Sequence, residues 1–472
     1  MLKPLLLVLF LASTASAQQT VIDRVTVIDG TGGAPLRNAV VVIEQGRIRA
    51  VGPSGSMALP AGAERIDGGG GYLVPGFVEM HAHVALGPIE VDRSGAQPVM
   101  KLLPDPEGTR RALALLLASG ITTARDPGGP AVTTVAVRDS VADGQLVGPR
   151  LFVAGEVIDR TQFPGLSRPV ETPDEVRREV RRQAALGVDM IKLYAWLTPE
   201  LVQAGIEEAH RFGIPAIAHL MNTTWTVAAR SGLDGIVHVV GWSPELLPER
   251  VRARYHEMQA GGSQFLYGWL ELVDLDAPEL DRAVDALAAR RMHLDPTLVV
   301  FERAVRGDDP AITQNPHLAQ ASPALLANWR AFFTFSAGWT KEDFARARAA
   351  WPKALGLTKK LYDRGVLITA GTDANNPWTV PGESYHRELE LLVEAGIPPL
   401  DVLRIATRNG AEALGILAET GTIEAGKRAD LVLLAQDPTA SISATRSVQW
   451  VMQGGARHDP AALLRRAGVP RD

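Results

Sequence analysis

The chain has 472 residues, 46% hydrophobic and 21% charged, with a formal net charge of −5, an ordinary globular balance with too little positive charge for a nucleic-acid binder. That length exceeds one small core and fits a large α/β domain plus a smaller one. Cysteine is absent, which excludes a disulfide framework and leaves nitrogen and oxygen donors to hold any metal.

Residues 1–17 read as a secretory signal: Lys3 supplies the positive start, Leu5 to Leu11 the apolar run, and Ala15-Ser16-Ala17 the cleavage site before Gln18. The run is too short to span a bilayer. The pattern predicts a periplasmic or secreted protein with no membrane attachment after signal cleavage, an uncleaved anchor being the competing reading. Next come short β-branched runs, Val21 to Val25, Ala39 to Ile43 and Arg47 to Val51, parted by the turn cluster Asp29-Gly30-Thr31-Gly32-Gly33. The same texture returns in Asp430 to Leu434 and Val448 to Met452. Both ends together predict one small β-sandwich domain, residues 18–73 plus 418–472.

Between them, strand-like runs alternate with helical patterns: Gly76 to His83, Ile121 to Asp126, Arg150 to Gly155, Asp189 to Tyr194, Ala216 to His219, Gly235 to Val239, Leu294 to Phe301 and Val366 to Asp373. Thr172-Pro173 and Thr198-Pro199 offer N-cap threonines with Pro at the first helical position. The spacing predicts an α/β fold, a (β/α)8 TIM barrel over residues 74–417, rather than an open doubly wound sheet, because the first βα turn lacks G-x-G-x-x-G. Two stretches exceed a minimal barrel, Ser243 to Ala288 and Glu302 to Pro352. The second is rich in aromatics, Trp329, Phe332, Phe333, Phe335, Trp339 and Trp351, which either line a substrate pocket or form a helical pair with its own core.

His81 and His83, two apart on a strand, project to the same side. The other strand ends carry Lys192, His219, His238 and Asp373. Singly, each is an ordinary structural histidine, lysine or turn aspartate; together at one end of five strands they mark a candidate metal centre. An ammonium beside two divalent cations is repelled, so Lys192 in such a centre favours its neutral amine, which can take up CO₂ as a carbamate. An uncoordinated lysine and a Schiff-base lysine are the alternatives.

The motifs Val74-Pro75-Gly76-Phe77-Val78-Glu79-Met80-His81-Ala82-His83, Gly371-Thr372-Asp373 and Gly421-Thr422-Ile423-Glu424-Ala425-Gly426-Lys427-Arg428-Ala429-Asp430-Leu431, with the dispersed Lys192, His219 and His238, resemble the amidohydrolase superfamily of metal-dependent hydrolases. Met190-Ile191-Lys192 and Pro381 to Leu389 are similar to its imidazolonepropionase-like branch, which includes Xaa-Pro dipeptidase (prolidase)-like enzymes. The resemblance implies two divalent ions, zinc being expected for these donors: His81, His83 and Asp373 around one, His219 and His238 around the other, and a carbamate on Lys192 as bridge. It implies catalysis by a hydroxide shared between the ions, with Asp373 as general base and then general acid.

Tyr194 and His386 are candidate substrate-binding residues, His386 and Arg387 as cationic receivers of a carboxylate. The expected reaction is hydrolysis of the amide bond of a dipeptide or N-acyl amino acid. A cyclic amide or lactone hydrolase, including a detoxifying amidase of an N-acyl amino-acid natural product, is the second reading; a solute-binding protein on a degenerate barrel is a third. The expected partner is a small-molecule or dipeptide substrate, and a homo-oligomer is left open.

Overall fold

The computed structural model describes residues 19–94, 99–331 and 334–470; the expected signal segment, and Phe332 and Phe333 of the aromatic run, lie outside the described residues. The protein is a mixed α/β fold. Its two ends meet in an eight-stranded sheet running through Ala456–His458, Val448–Gln453, Leu431–Leu434, Tyr72–Pro75, Gln19–Val27, Leu36–Glu44 and Arg47–Pro53, with Glu64–Asp67 beside Gln19–Val27. Strand alternation sorts the valines: Val41 and Ile43 join Ile22, Leu73, Leu433 and Trp450 in one core, while Val40 and Val42 turn to the other face with Val21. Leu433 lies opposite Leu73 and Leu431 opposite Pro75, so the far end of the chain completes the sheet begun by the near end. Gly76 stands at the exit from this sheet, where a Cβ would come within 2.0 Å of the Thr122 hydroxyl.

The strands between the two ends are mostly parallel. Phe77–Glu79, Ile121–Asp126 and Arg150–Val153 form one sheet; Ser167–Pro169, Val157–Asp159, Ile191–Leu193, Ala216–Ala218, Gly235–Val237, His293–Asp295 and Leu367–Ile368 form a second, in that order. Backbone hydrogen bonds join the two sheets at both margins. Asp189 N–H donates to Val153 O (2.8 Å), and on the other side Met80 N–H donates to Ala370 O (2.8 Å) and His83 N–H to Ala374 O (3.1 Å). The main apolar core lies between these strands and the helices covering them, and takes in Leu113, Leu116, Val180, Val202, Leu287 and Leu357. Helix starts follow local chemistry: Thr172 and Glu175 form a full capping box at the head of Pro173–Leu186, which Gly187 ends in the left-handed region. Thr198 holds the equivalent backbone position before Pro199–Arg211 without a side-chain cap bond.

Each of the eight expected strand segments overlaps an observed strand, but one is corrected in kind. Leu294 to Phe301 is a strand only to Asp295; Thr297 takes a left-handed φ of 51° and Leu298–Val305 is helical. Pro296 cannot donate to a sheet ladder, and the Glu388 carboxylate accepts the Leu298 and Val299 N–H groups (3.0 and 2.7 Å), a cap that outweighs the strand preference of Val299 and Val300. Ile89–Asp92 and Val99–Leu102 pair antiparallel, an element the sequence does not predict. The two long insertions fold into helices, Glu249–Gly261, Phe265–Leu272 and Pro278–Ala289 in the first, Pro323–Ala331 and Lys341–Ala350 in the second. Their aromatics divide between both expected roles: Trp329 packs with Trp378 in a small separate core, whereas Trp339 stands against Tyr267 (4.9 Å) on the wall of the main cavity.

Candidate metal centre and active site

Six polar residues at the C-terminal ends of the parallel strands line one cavity of about 440 Å³: His81, His83, Lys192, His219, His238 and Asp373. His83 Nε2 and His81 Nε2 lie 3.1 and 3.4 Å from Asp373 Oδ1, and one donor atom from each of the three falls within 4.8 Å of the others. The His238 ring is 4.9 Å from that of His81 and 4.6 Å from that of His219, which joins the ends of the first, fifth and sixth strand segments in one cluster. His238 and Asp373 both sit in the left-handed region, φ 71° and 61°, a conformation that costs on the order of 1 kcal/mol and aims their side chains off the strand ends. Gly371 makes room for the approach: a Cβ there would meet His81 Cβ at 2.8 Å and Asp295 Cβ at 3.0 Å.

The rings are held from behind. His83 Nδ1 is 2.7 Å from Gly128 O, His238 Nδ1 is 2.7 Å from Thr297 Oγ1, and His81 Nδ1 is 2.6 Å from Asp295 Oδ2. For His83 the carbonyl can only accept, so Nδ1 carries a proton, while Nε2 faces Asp373 Oδ1 in the cavity. Asp295 in turn accepts from Arg125 Nη2 (2.5 Å), while Arg125 Nε donates to Met80 O (2.6 Å) and Nη1 lies 2.8 Å from His293 Nε2. Asn376 Nδ2 donates to Asp373 Oδ1 (2.7 Å).

Burial sets the charge states. It holds His81, His219 and His238 well below the usual imidazole range, with Lys192 adding to the effect, so all three are neutral donors. Lys192 is 2% exposed, and burial, only partly opposed by Asp295, lowers its amine to about 7. Burial pushes Asp373 up, but His81 and His83 outweigh it and keep the carboxyl below its ordinary value, hence ionised. Burial raises the Tyr194 hydroxyl, so it stays protonated beside His219 (4.7 Å between rings).

These donors fit a metal. Both ring nitrogens of His219 are buried without a hydrogen-bond partner, an arrangement that costs desolvation unless a ligand takes one of them, and three neutral imidazoles with a carboxylate form a nitrogen–oxygen set suited to a divalent ion.

His386 is not brought to this cavity. It lies on helix Glu383–Glu394 with Nδ1 3.1 Å from Thr445 Oγ1, and burial lowers it to about 3, so it is an uncharged packing residue. Arg387 is likewise engaged, by Glu302 (2.7 Å) and Glu394 (2.7 Å). Sequence reasoning missed Arg125, Asp295, Thr297 and Asn376. The signal for two of them was present in Arg125-Asp126 and Asp295-Pro296, charged residues closing otherwise apolar strands.

A parallel-stranded α/β protein whose strand ends converge a histidine–carboxylate cluster on one cavity has the make-up of an enzyme with a candidate metal site. The chain belongs to the amidohydrolase family, whose model matches residues 72–457, and is a hydrolase acting on carbon–nitrogen bonds. It is 26% identical over 436 residues to an imidazolonepropionase of Agrobacterium fabrum (strain C58), covering 86% of each chain. Its fold is similar to that of a Xaa-Pro dipeptidase with bound methionine (TM-score 0.68, 21% identity, 94% of this chain and 100% of that one). It is also similar to bottromycin amidohydrolase (TM-score 0.71, 23% identity, 96% and 92%).

Proposed function

We propose that this protein is an exported, binuclear metal-dependent amidohydrolase that cleaves the amide bond of a small substrate of the dipeptide or N-acyl amino-acid type. Its scaffold in this reading is a (β/α)8 barrel of residues 74–417 beside a β-sandwich made of residues 18–73 and 418–472. The observation that carries the reading is His219, with both ring nitrogens buried and unpartnered, next to His238 and the His81, His83 and Asp373 cluster. His81, His83 and Asp373 would hold one ion, His219 and His238 the other, with Lys192 as a carbamate between them and zinc as the metal. When bound, the ions would acidify a water molecule and polarise the scissile carbonyl.

The chain supplies the rest. Ionised Asp373, fixed by Asn376, accepts the proton of the attacking water on its carboxylate and delivers it to the departing nitrogen, which as an amine leaves poorly without it. The protonated Tyr194 hydroxyl lines the same cavity and would donate to the substrate carbonyl. Asp295, Gly128 and Thr297 keep the imidazoles in one orientation, and the aromatic walls exclude bulk water. Export rests on the signal pattern of residues 1–17.

The test is metal analysis of the purified protein with a panel of dipeptides, N-acyl amino acids, cyclic amides and lactones, run on wild type and Asp373→Asn. Two ions per chain, amide turnover and a loss of ~10²–10⁴ in kcat in Asp373→Asn are expected. Unchanged turnover in Asp373→Asn refutes the proton shuttle, and turnover of lactones or cyclic amides alone replaces the reading by the second one.

A further inference from the structure

The walls of the cavity are more selective than the centre at its floor. Around the six polar residues they are built of aromatic side chains, among them Phe163, Trp196, Trp242, Phe265, Phe301 and Trp339. Trp242 stands 5.0 Å from the His219 ring and 5.3 Å from Phe301, and Phe301 stands 5.7 Å from His238, so aromatic surface begins at the two histidines themselves. Among the described residues lining the cavity, Lys192 and Asp373 are the only side chains of the Lys, Arg, Asp or Glu type, and both belong to the ligand set. Residues 95–98 and 332–333 are Gly-Ala-Gln-Pro and Phe-Phe, so none of them supplies a cation. The arginines near the centre are committed elsewhere, Arg125 to Asp295 (2.5 Å), Arg303 to Glu383 (3.3 Å) and Arg387 to Glu302 (2.7 Å).

A free carboxylate carried into such walls sheds its hydration and meets no guanidinium or ammonium to replace it. A neutral ring gains instead, from burial of its apolar surface and from edge or offset contacts with other rings. We propose that the cavity selects amides that are uncharged next to the scissile bond and carry an aromatic group seated against Trp242 and Phe301, so that an amino-acid carboxyl in the substrate is masked or missing. The reaction is hydrolysis: water adds across the bond, the carbonyl carbon gains oxygen, the C–N bond breaks and the nitrogen leaves protonated. The proposal rests on the amide-hydrolase reading and changes its substrate, from a free dipeptide or N-acyl amino acid to a counterpart whose carboxyl is masked or missing.

The experiment compares N-acetylphenylalanine with N-acetylphenethylamine, the same amide with hydrogen in place of the carboxylate, on the purified metal-loaded enzyme, following release of the amine product. The expected result is a kcat/KM at least about tenfold higher for the decarboxylated amide. Introducing a cation at the exposed cavity residue Gln162, as Gln162→Arg, is expected to narrow that ratio, and Phe301→Leu to lower the preference for the phenethyl amide over N-acetylbutylamine. An equal or higher kcat/KM for the free acid overturns the proposal while leaving the amide-hydrolase reading intact. If neither amide is cleaved, that reading is at fault, and the selectivity is read from quenching of the cavity tryptophans by the same two ligands: tighter binding of the neutral one upholds it, and equal or tighter binding of the acid overturns it.

Discussion

Arg125 and Asp295 form a buried ion pair directly behind His81, and cutting it tests whether the centre is pre-organised from below. Arg125 is 1% exposed and Asp295 0%. Arg125→Met keeps the volume but removes three contacts, to Asp295 Oδ1 (2.5 Å), His293 Nε2 (2.8 Å) and Met80 O (2.6 Å), leaving Asp295 buried with His81 as its remaining side-chain partner. Breaking a buried pair from one side costs ~3–5 kcal/mol, mostly the penalty of the stranded charge. Asp295→Asn strands the guanidinium and should cost a similar amount. The double variant Arg125→Met, Asp295→Asn strands neither charge, so its loss should fall short of the sum of the single losses by ~2 kcal/mol or more. Urea unfolding of the four proteins measures this, with the midpoint shift interpreted at constant m. Coupling below ~0.5 kcal/mol would refute the pair as a unit and with it the argument that Asp295 needs Arg125 to hold His81.

Three other outcomes are expected. Lys192→Ala should lower bound metal below two ions per chain, read by atomic spectroscopy; full retention would exclude Lys192 as the bridge. His386 is held neutral, lowered to about 3, below the unfolded value of ~6.5, so it stabilises the fold above the unfolded value and its contribution is lost as pH falls toward 3. Between pH 6 and pH 4.5, His386→Gln should therefore lose less stability than wild type, by up to ~1.4 kcal/mol per pH unit, and parallel wild-type and variant curves would contradict this. Gly371→Ala forces a methyl onto His81 Cβ (2.8 Å) and Asp295 Cβ (3.0 Å) and should cost ~1–3 kcal/mol together with most of the activity, seen as a lower unfolding midpoint and a lower kcat.

The strands and the six candidate ligands were legible because they rest on short-range rules: β-branched runs closed by polar residues, and a His-x-His pair whose members share a face. What was not legible depends on partners far away in the chain. Val299 and Val300 read as strand until Glu388, some ninety positions on, caps the helix they start. His386 looked like a cation near a rim; only the packed structure turns it toward Thr445 and strips it of charge. Arg125 was hidden because a charged residue inside a strand gives no sign of its partner until Asp295 is placed beside it. The aromatic insertion offered two readings because composition does not say which face of a helix is covered; Trp329 and Trp339 took one role each.

The aromatic walls and the polar floor are parts of one device. The low position of Lys192, about 7, and the neutral state of His219 and His238 come first from burial, and Trp242 and Phe301, on the segments following Gly235–Val237 and His293–Asp295, stand against those two histidines in the same cavity. Stripping those rings would do more than widen the pocket. It would hydrate the lysine, favour its ammonium and weaken its fitness as an uncharged amine at neutral pH. The same desolvation that readies the centre makes a carboxylate-bearing ligand costly to admit. Residues usually assigned to specificity therefore also tune the ligands, and substitutions at Trp242 or Phe301 should move metal affinity and substrate preference together rather than separately.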